Sequence, residues 1–475
     1  MTTTLEAAAV APGLDAQEQR ALKMMVTQLQ SHQRSNDLRS LYYLGKKSLR
    51  AAGKLGMAIP PALGKLETIL GWPAKAVTTL EHRLNPTGFV VRGEAQRDST
   101  LEEIGFDNGL TELQSMTHTA ALIHGTSFVT VSAGDERAGE PAAVLTARSA
   151  REATALYSRR TRRILCGMTI NASELGRPNQ VVLWTPNSVV EISQTRTSWR
   201  IERFPHFLGS VPMERLAFRG HLEQEFGMPR ISDEVMGLND SAVRTMLRME
   251  GTAEFFSFPQ RWAIGVEGDD FADTFKTYLN RFLALGGAEN GEQETKLGQF
   301  TASSPQPHIE QLRAIAGQFS GATSIPLNYL GIVHDNPSSA DAIHAAEADL
   351  IAVAERAQTG FGPAWASIMG KAHQIANGDY SPDPRMRGLL TQWRDPATPT
   401  ASAQSQSVMS LISVGALPPT SEVTYRLLGY DEATIAQLVA DARTFAGRQA
   451  LAALQPAQTP AVDDLIQVDT AGTGI

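Results

Sequence analysis

Apolar residues recur every three or four positions over one long stretch: Ile343, Ala346, Leu350, Val353, Ala357, Phe361, Trp365, Ile368, Ala372 and Ile375. That spacing lays a single stripe along an α-helix. It predicts a helix of ~39 residues, roughly 58 Å long at 1.5 Å per residue. Asn336-Pro337-Ser338-Ser339 starts it, with Ser338 and Asp341 placed as a capping box. Gly360, Gly362 and Pro363 lie in its middle, where a kink is expected. Weaker stripes predict further helices. Leu22, Met25 and Leu29 mark one over 15–50, closed near Gly45 as a C-cap. Another covers 62–85, interrupted at Trp72-Pro73, and a third covers 108–124, ending at Gly125. Ser232 reads as the N-cap of a helix to about Phe256, carried by Met236, Val243, Met246, Leu247 and Met249. Asp233 and Glu234 fall in its first turn, where the helix dipole favours acids. A helix from Pro307 to about Gly321 and helical segments over 403–450 complete the set.

Between 141 and 219 the pattern changes to short runs separated by turns: Ala143–Thr146, Arg163–Ile170, Gln180–Thr185, Val189–Ser193 and Trp199–Phe204. Gly88–Val91 and Phe128–Val131 also read as strands. The expected fold is therefore α+β and helix-rich, with helices first and then a β meander.

Composition narrows the function. The chain has 475 residues, 42% of them apolar and 19% charged, enough for two to four packed units. Its formal net charge is −8. A protein that grips nucleic acid usually carries a basic domain, so any DNA here should be surrounded or passed along. One cysteine, Cys166, excludes an intrachain disulfide and a cysteine-cluster zinc site and reads as a core thiol. No apolar run is long enough to span a membrane, and the N-terminus lacks the features of a secretion signal. A cytosolic protein, or part of an assembly built there, is expected.

Catalytic motifs are missing. Gly45-Lys46-Lys47 and Gly64-Lys65-Leu66 approach a P-loop but lack its upstream glycine. There is no G-x-S-x-G elbow, His-Glu-x-x-His or Glu-x-x-His. His118 and His124 read as structural histidines, and His344 with Glu347 as a solvated polar pair. No catalytic residue, metal ligand or cofactor is expected. Asp269, Asp270 and Asp273 form an acidic cluster that reads as an exposed loop, a partner-binding edge, or a Mg²⁺ site for phosphoryl chemistry. Arg148, Arg151, Arg159, Arg160, Arg162 and Arg163 face a single acid, Glu152. Phosphate binding, contact with an acidic neighbouring subunit, and a solvated β edge all remain open for them.

Four stretches, in order, resemble the portal protein family of long-tailed phages, especially those of actinobacteria. They are Leu183-Trp184-Thr185-Pro186-Asn187 with Trp199 and His206-Phe207-Leu208-Gly209-Ser210-Val211-Pro212; Pro259-Gln260-Arg261-Trp262 with Gly265; Ser324-Ile325-Pro326-Leu327-Asn328-Tyr329-Leu330-Gly331 with Asn336–Ile343; and Phe361-Gly362-Pro363-Ala364-Trp365 with Trp393-Arg394-Asp395-Pro396, Gly415-Ala416-Leu417-Pro418 and Leu428-Gly429-Tyr430. Gly227-Met228-Pro229-Arg230-Ile231-Ser232 departs from the Gly-x-Ser-x-Ile often found before the first long helix in relatives.

The resemblance implies the phage portal fold: a wing, a two-helix stem, an inserted clip and a helical crown. It maps the wing to 15–230, the stem to 232–256 and 307–321, the clip to 259–306 and a tunnel loop to 324–338. A long kinked helix, 338–392, would return to the wing, the crown would cover 396–455, and 456–475 would be a disordered tail. It further implies a homo-oligomeric ring, a dodecamer, at the capsid vertex of the virion, passing double-stranded DNA. The partners would be the terminase large subunit, then a head–tail adaptor, with the major capsid and scaffold proteins at the wing and no membrane. Residues expected to meet DNA are Asn328, Tyr329, His334, Asp335 and Asn336 in the tunnel loop. Those expected to make a negative, non-adhesive lumen are Asp233, Glu234, Asp240, Glu250 and Glu254, against Arg244 and Arg248. Clip contacts are expected at Arg261, Glu267, Asp269, Asp270 and Asp273. The alternatives from other classes are a metal-dependent nuclease or phosphotransferase, and a capsid- or scaffold-type structural protein.

Overall fold

The first long helix begins where a side chain can serve its free amides. Asp15 accepts hydrogen bonds from the Gln17 and Glu18 amides, and the Glu18 carboxylate accepts the Asp15 amide, each at 2.8 Å. It ends at Tyr43, and Gly45 takes a left-handed φ of +64° just beyond, where a side chain would be strained. A computed structural model describes residues 2–46, 68–94, 97–172, 178–195, 199–257, 261–264, 282–285, 296–299, 304–332, 340–397, 401–430 and 432–454. They form two compact units, Met1–Pro396 and Ala397–Ile475.

In chain order the elements are α1 (Thr2–Ala8), α2 (Ala16–Tyr43), α3 (Trp72–Glu81), β1 (Pro86–Val91), α4 (Ser99–Asp107), α5 (Leu110–His124), β2 (Thr126–Ala133), β3 (Ala143–Ser149), β4 (Ala153–Ser158), β5 (Arg163–Ala172), β6 (Pro178–Trp184), β7 (Ser188–Gln194), β8 (Trp199–Pro205), β9 (Met213–Ala217), α6 (Asp233–Ser257), β10 (Arg261–Ile264), β11 (Phe282–Leu285), β12 (Lys296–Gln299), α7 (Gln306–Thr323), α8 (Ala340–Ala376), β13 (Leu389–Trp393), α9 (Ala401–Ser413), α10 (Glu422–Leu427) and α11 (Glu432–Leu454). The fold is α+β and helix-rich, as expected. Four sheets are present among the described residues, with strand orders β1-β13, β11-β10-β12, β3-β2-β9 and β4-β5-β6-β7-β8.

Local expectations and structure differ in informative places. Pro73 starts α3 rather than interrupting a longer helix, because its missing N–H costs nothing in a first turn; residues 62–67 lie outside the described residues. The single helix expected over 108–124 is α5, and α4 precedes it across Asn108 and Gly109, whose φ is +55°. Strands β4, β9 and β13 were not anticipated from the sequence pattern. The helix α8 continues through Pro363, the position at which a kink was expected. There β13 packs close: the Thr391 hydroxyl donates to the Gly362 carbonyl at 2.8 Å, and a Cβ at Gly362 would meet the Trp393 indole at 3.3 Å.

The stripe read on α8 is the spine of the main core. Of it Leu350, Phe361, Trp365, Ile368 and Ala372 are fully buried, with Ala354 beside the half-buried Val353, against Val129 and Val131 of β2, Leu145 of β3 and Leu122 of α5. The Trp365 indole N–H donates to His118 Nε2 at 2.9 Å, and His118 stacks on Phe361 with ring centroids 5.2 Å apart. A second cluster buries α1 and α2 against β5, β6 and β7. Cys166 on β5 is half-buried, and burial pushes its thiol up to about 11, which leaves it unreactive.

Candidate functional site

Two helices joined through the 258–305 segment form the element that the expected stem assigns to the channel wall. The Ser232 hydroxyl accepts the Val235 amide at 3.3 Å, which starts α6. At 25 residues the helix spans roughly 37 Å. Its Val235 and Ala242 pack with Ile315, Ala316 and Phe319 of α7, and with Trp72 and Ala76 of α3. At the other end Thr252 Oγ1 and His308 Nε2 lie 3.2 Å apart. The C-terminal part of α6 therefore meets the start of α7, and the pair is antiparallel.

Arg230 fixes this pair to the body. Its guanidinium, 7% exposed, donates to the Ala76 carbonyl of α3 and, at 2.6 Å, to the Thr323 carbonyl that ends α7. A cation at a helix C-terminus also meets the negative end of the dipole. Burial pulls its pKa down to about 9, helped by the nearby Arg219, so it stays charged at neutral pH. This residue sits in the very stretch that departs from the relatives' pattern.

The five acids expected in the lumen are placed differently from one another. Asp233 and Glu234 are exposed in the first turn of α6. Asp233 lies near Arg39 of α2, whose pKa burial lowers while that carboxylate opposes the drop. Asp240 turns into the unit and accepts the Tyr42 hydroxyl of α2 at 2.8 Å. Glu250 is half-buried, and the side chain of Glu254 lies outside the described residues. The structure thus brings Asp233 and Asp240 to α2, a contact that no local pattern announces.

After α7 the chain makes one 3₁₀ turn at Leu327–Leu330. Asn328 is exposed. Tyr329 is not free: its hydroxyl donates to Glu347 of α8 and accepts from Arg83 at 3.3 Å, and burial and Glu347 raise its pKa. Arg83 and Glu347 are 3.3 Å apart, both side chains 8% exposed. Arg83 also donates to the Pro396 carbonyl at 2.7 Å, and Gln358 ties the Arg83 and Arg394 carbonyls, each at 3.1 Å. Glu347 is therefore buried in a hydrogen-bonded network and not the solvated residue expected; Arg83, 246 positions before Tyr329, gave no local signal of this. His334, Asp335 and Asn336 lie outside the described residues, as do Glu267, Asp269, Asp270 and Asp273; Arg261 opens β10, its side chain undescribed.

The arginine cluster resolves into parts. Arg151 pairs with Asp37 at 2.8 Å and Arg159 with Glu225. Arg160, Arg162 and Arg163 project at the exposed tip between β4 and β5. Among the described residues no group of three or more His, Cys, Asp or Glu could hold a metal, and no helix is long and apolar enough to cross a membrane.

Comparison with known proteins agrees with the resemblance carried by the sequence. The phage portal protein family of SPP1 Gp6-like type matches residues 30–424. The portal protein of Mycobacterium phage D29 is 30% identical over 377 residues, which is 76% of this chain and 76% of that protein. The portal protein of Mycobacterium phage L5 is 29% identical over 420 residues, 85% of this chain and 84% of that one. The similarity to a solved chain from the neck of a native gene transfer agent particle covers 76% of this chain and 90% of that one, at 12% identity and a TM-score of 0.41. On the family match and the two mycobacteriophage relatives, the chain belongs to the SPP1 Gp6-like family of phage portal proteins, structural and non-enzymatic components of the virion.

Proposed function

We propose that copies of this chain close into a dodecameric ring at one capsid vertex, and that double-stranded DNA enters and leaves through it. A heterologous interface closes when its rotation divides the circle. The observation that carries the reading, beside family membership, is the α6–α7 pair: antiparallel, apolar on one face and clamped at the Thr323 end by Arg230. Repeated about an axis, such pairs wall a channel. In this reading 232–256 and 307–321 are the stem, 259–306 the clip, 324–338 the tunnel loop and 396–455 the crown. Residues 15–230 form the wing, to which 338–392 returns. The clip, with Arg261, Glu267, Asp269, Asp270 and Asp273, docks the terminase large subunit and then the head–tail adaptor. The wing meets the major capsid and scaffold proteins, and assembly takes place in the host cytoplasm. Asn328, Tyr329, His334, Asp335 and Asn336 are the loop residues nearest DNA, with the Tyr329 hydroxyl held back by Glu347. The lumen acids are Asp233, Glu234, Glu250 and Glu254, while Asp240, also expected there, is turned to Tyr42.

Negative-stain imaging of the purified chain tests this. Closed rings with a central hole are expected. A monomer or dimer that turns over DNA with Mg²⁺ supports the nuclease alternative, and sheets or spheres support a shell or scaffold protein. Either result overturns the ring.

A further inference from the structure

The three-stranded sheet and α5 separate two surfaces of opposite charge. From Asp98 to Glu140 the chain carries eight acids and one base, Arg137. Glu103, Asp107 and Glu112 are exposed and meet no cation among the described residues. Glu103 and Asp107 stand one turn apart on α4, neighbours on the same face. Phe106 of the same helix, 87% exposed, is a large apolar ring left in water beside them.

From 159 to 163, four of five residues are arginine. Arg159 is taken by Glu225; Arg160, Arg162 and Arg163 are exposed at the hairpin tip and meet no carboxylate among the described residues. Arg162 sits at φ +52°, in the turn itself. Leu165, 54% exposed, follows on the same hairpin.

These surfaces lie at opposite ends of one body. The Asn108 side chain pins the α4–α5 corner to the start of β3, donating to the Ala143 carbonyl and accepting the Leu145 amide, each at 2.8 Å. From there α5 runs away over 15 residues, roughly 22 Å. At its far end the Gly125 carbonyl accepts the Phe218 amide at 2.8 Å, and Gly227 packs against Gly125. That far end carries Phe226, whose ring lies 6.5 Å from Tyr157 of β4, and Glu225, the partner of Arg159. Thus the basic hairpin belongs to the Gly125 end and the acidic corner to the Ala143 end.

We infer that the Arg160–Arg163 hairpin of one copy docks on the Glu103–Phe106–Asp107–Glu112 corner of the next, so that these residues make a head-to-tail contact of the ring. The inference rests on the ring reading above and names its partner surface. Acids flanking a bare phenylalanine repel a polyanion, so DNA does not suit that corner; a basic, partly apolar knob does. Both halves of such a contact are present on this chain, on non-overlapping ends, as a heterologous interface requires. Leu165 and Phe106 supply the apolar area beside the charges, which set register.

Charge reversal tests it. One variant carries Arg160→Glu, Arg162→Glu and Arg163→Glu; the other carries Glu103→Arg, Asp107→Arg and Glu112→Arg. All six positions are exposed, so each variant should keep the wild-type circular dichroism and melting temperature. Native mass spectrometry and sedimentation at low salt should show ring assembly weakened on the order of tenfold or more in each variant alone. An equimolar mixture should restore rings in which the two variants alternate, since each reversed face then meets its complement. Wild-type assembly by both variants, or no rescue on mixing, overturns the inference while leaving the ring intact. If the arginine variant assembles but no longer binds a DNA oligonucleotide, the hairpin is a nucleic-acid contact and the inference is likewise wrong. A wild-type chain that never forms rings removes the ring reading itself, and this contact with it.

Discussion

His118 shows the cost of burial as chemistry. It is fully buried between Phe361 and Trp365, and desolvation pulls its pKa down to about 3. The neutral ring accepts the Trp365 N–H, so protonation would both strand a charge and remove that acceptor. In the unfolded chain the imidazole takes up its proton near pH ~6.5. Its contribution is thus whole above that value and is lost as the pH falls toward about 3. His124, lowered to about 4 by burial and by Arg151 and Arg39, acts with the same sign. Each group can add a slope of up to about 1.4 kcal/mol per pH unit inside its window. Denaturant midpoints should therefore drop between pH 7 and pH 4.5. His118→Gln keeps an acceptor for Trp365 but does not titrate, and should drop less; an equal drop would show that His118 is not the sensing group. The sequence marked His118 as structural, since nothing near it matched a ligand spacing, but its partners came from helix α8 far along the chain.

Helices here are specified by local chemistry and then held by single long-range contacts. The α8 stripe is visible in any helical plot, and the Ser232 cap in the residue order; the Asp15–Glu18 box emerged only with the structure. What α6 does with its acids is not. The same helix turns Asp240 to Tyr42 of α2 and leaves Glu234 exposed, although both look like equal surface charges in sequence. The Tyr42–Asp240 bond has a charged acceptor, and such bonds contribute about 1.5–3 kcal/mol. Asp240→Ala should lower unfolding stability by about 1–3 kcal/mol, whereas Glu234→Ala should change it by less than about 0.5 kcal/mol. Urea titration of the two variants decides it: equal effects would mean that the α2–α6 tie contributes nothing. The short strands β4, β9 and β13 escaped the sequence reading for a related reason. Leu389–Trp393 is five residues long, too short to show a period, and becomes a strand only because it meets Pro86–Val91.

At the scale of the whole particle, charge and packing serve different ends. Duplex DNA carries about one negative charge per 1.7 Å of axis. A wall with exposed acids keeps such a rod centred, whereas a basic wall would bind it at fixed registers and release counterions. Reversing Glu234 and Glu250 to Lys should slow DNA filling of heads while leaving ring formation unchanged, as measured by the DNA content of purified particles. Normal filling in that double variant would rule out these two as lumen acids without touching the ring. The hairpin arginines act elsewhere in this scheme, between subunits, so their reversal should act on assembly before any DNA is present.

The sequence alone determined which of the longer segments are helical, where several of them start and stop, that the fold is α+β, and which family the chain resembles. Those properties depend on spacings of three or four residues, on caps, and on motif order, all of which are local or linear. Only the tertiary structure decided that Tyr329 is tied to Glu347 and Arg83, that Arg230 closes the end of α7, that Asp240 faces inward, and that the acidic corner and the arginine hairpin stand at opposite ends of α5. Each depends on which distant segments meet. Burial makes such choices: a polar group withdrawn from water must find a partner wherever the chain brings one.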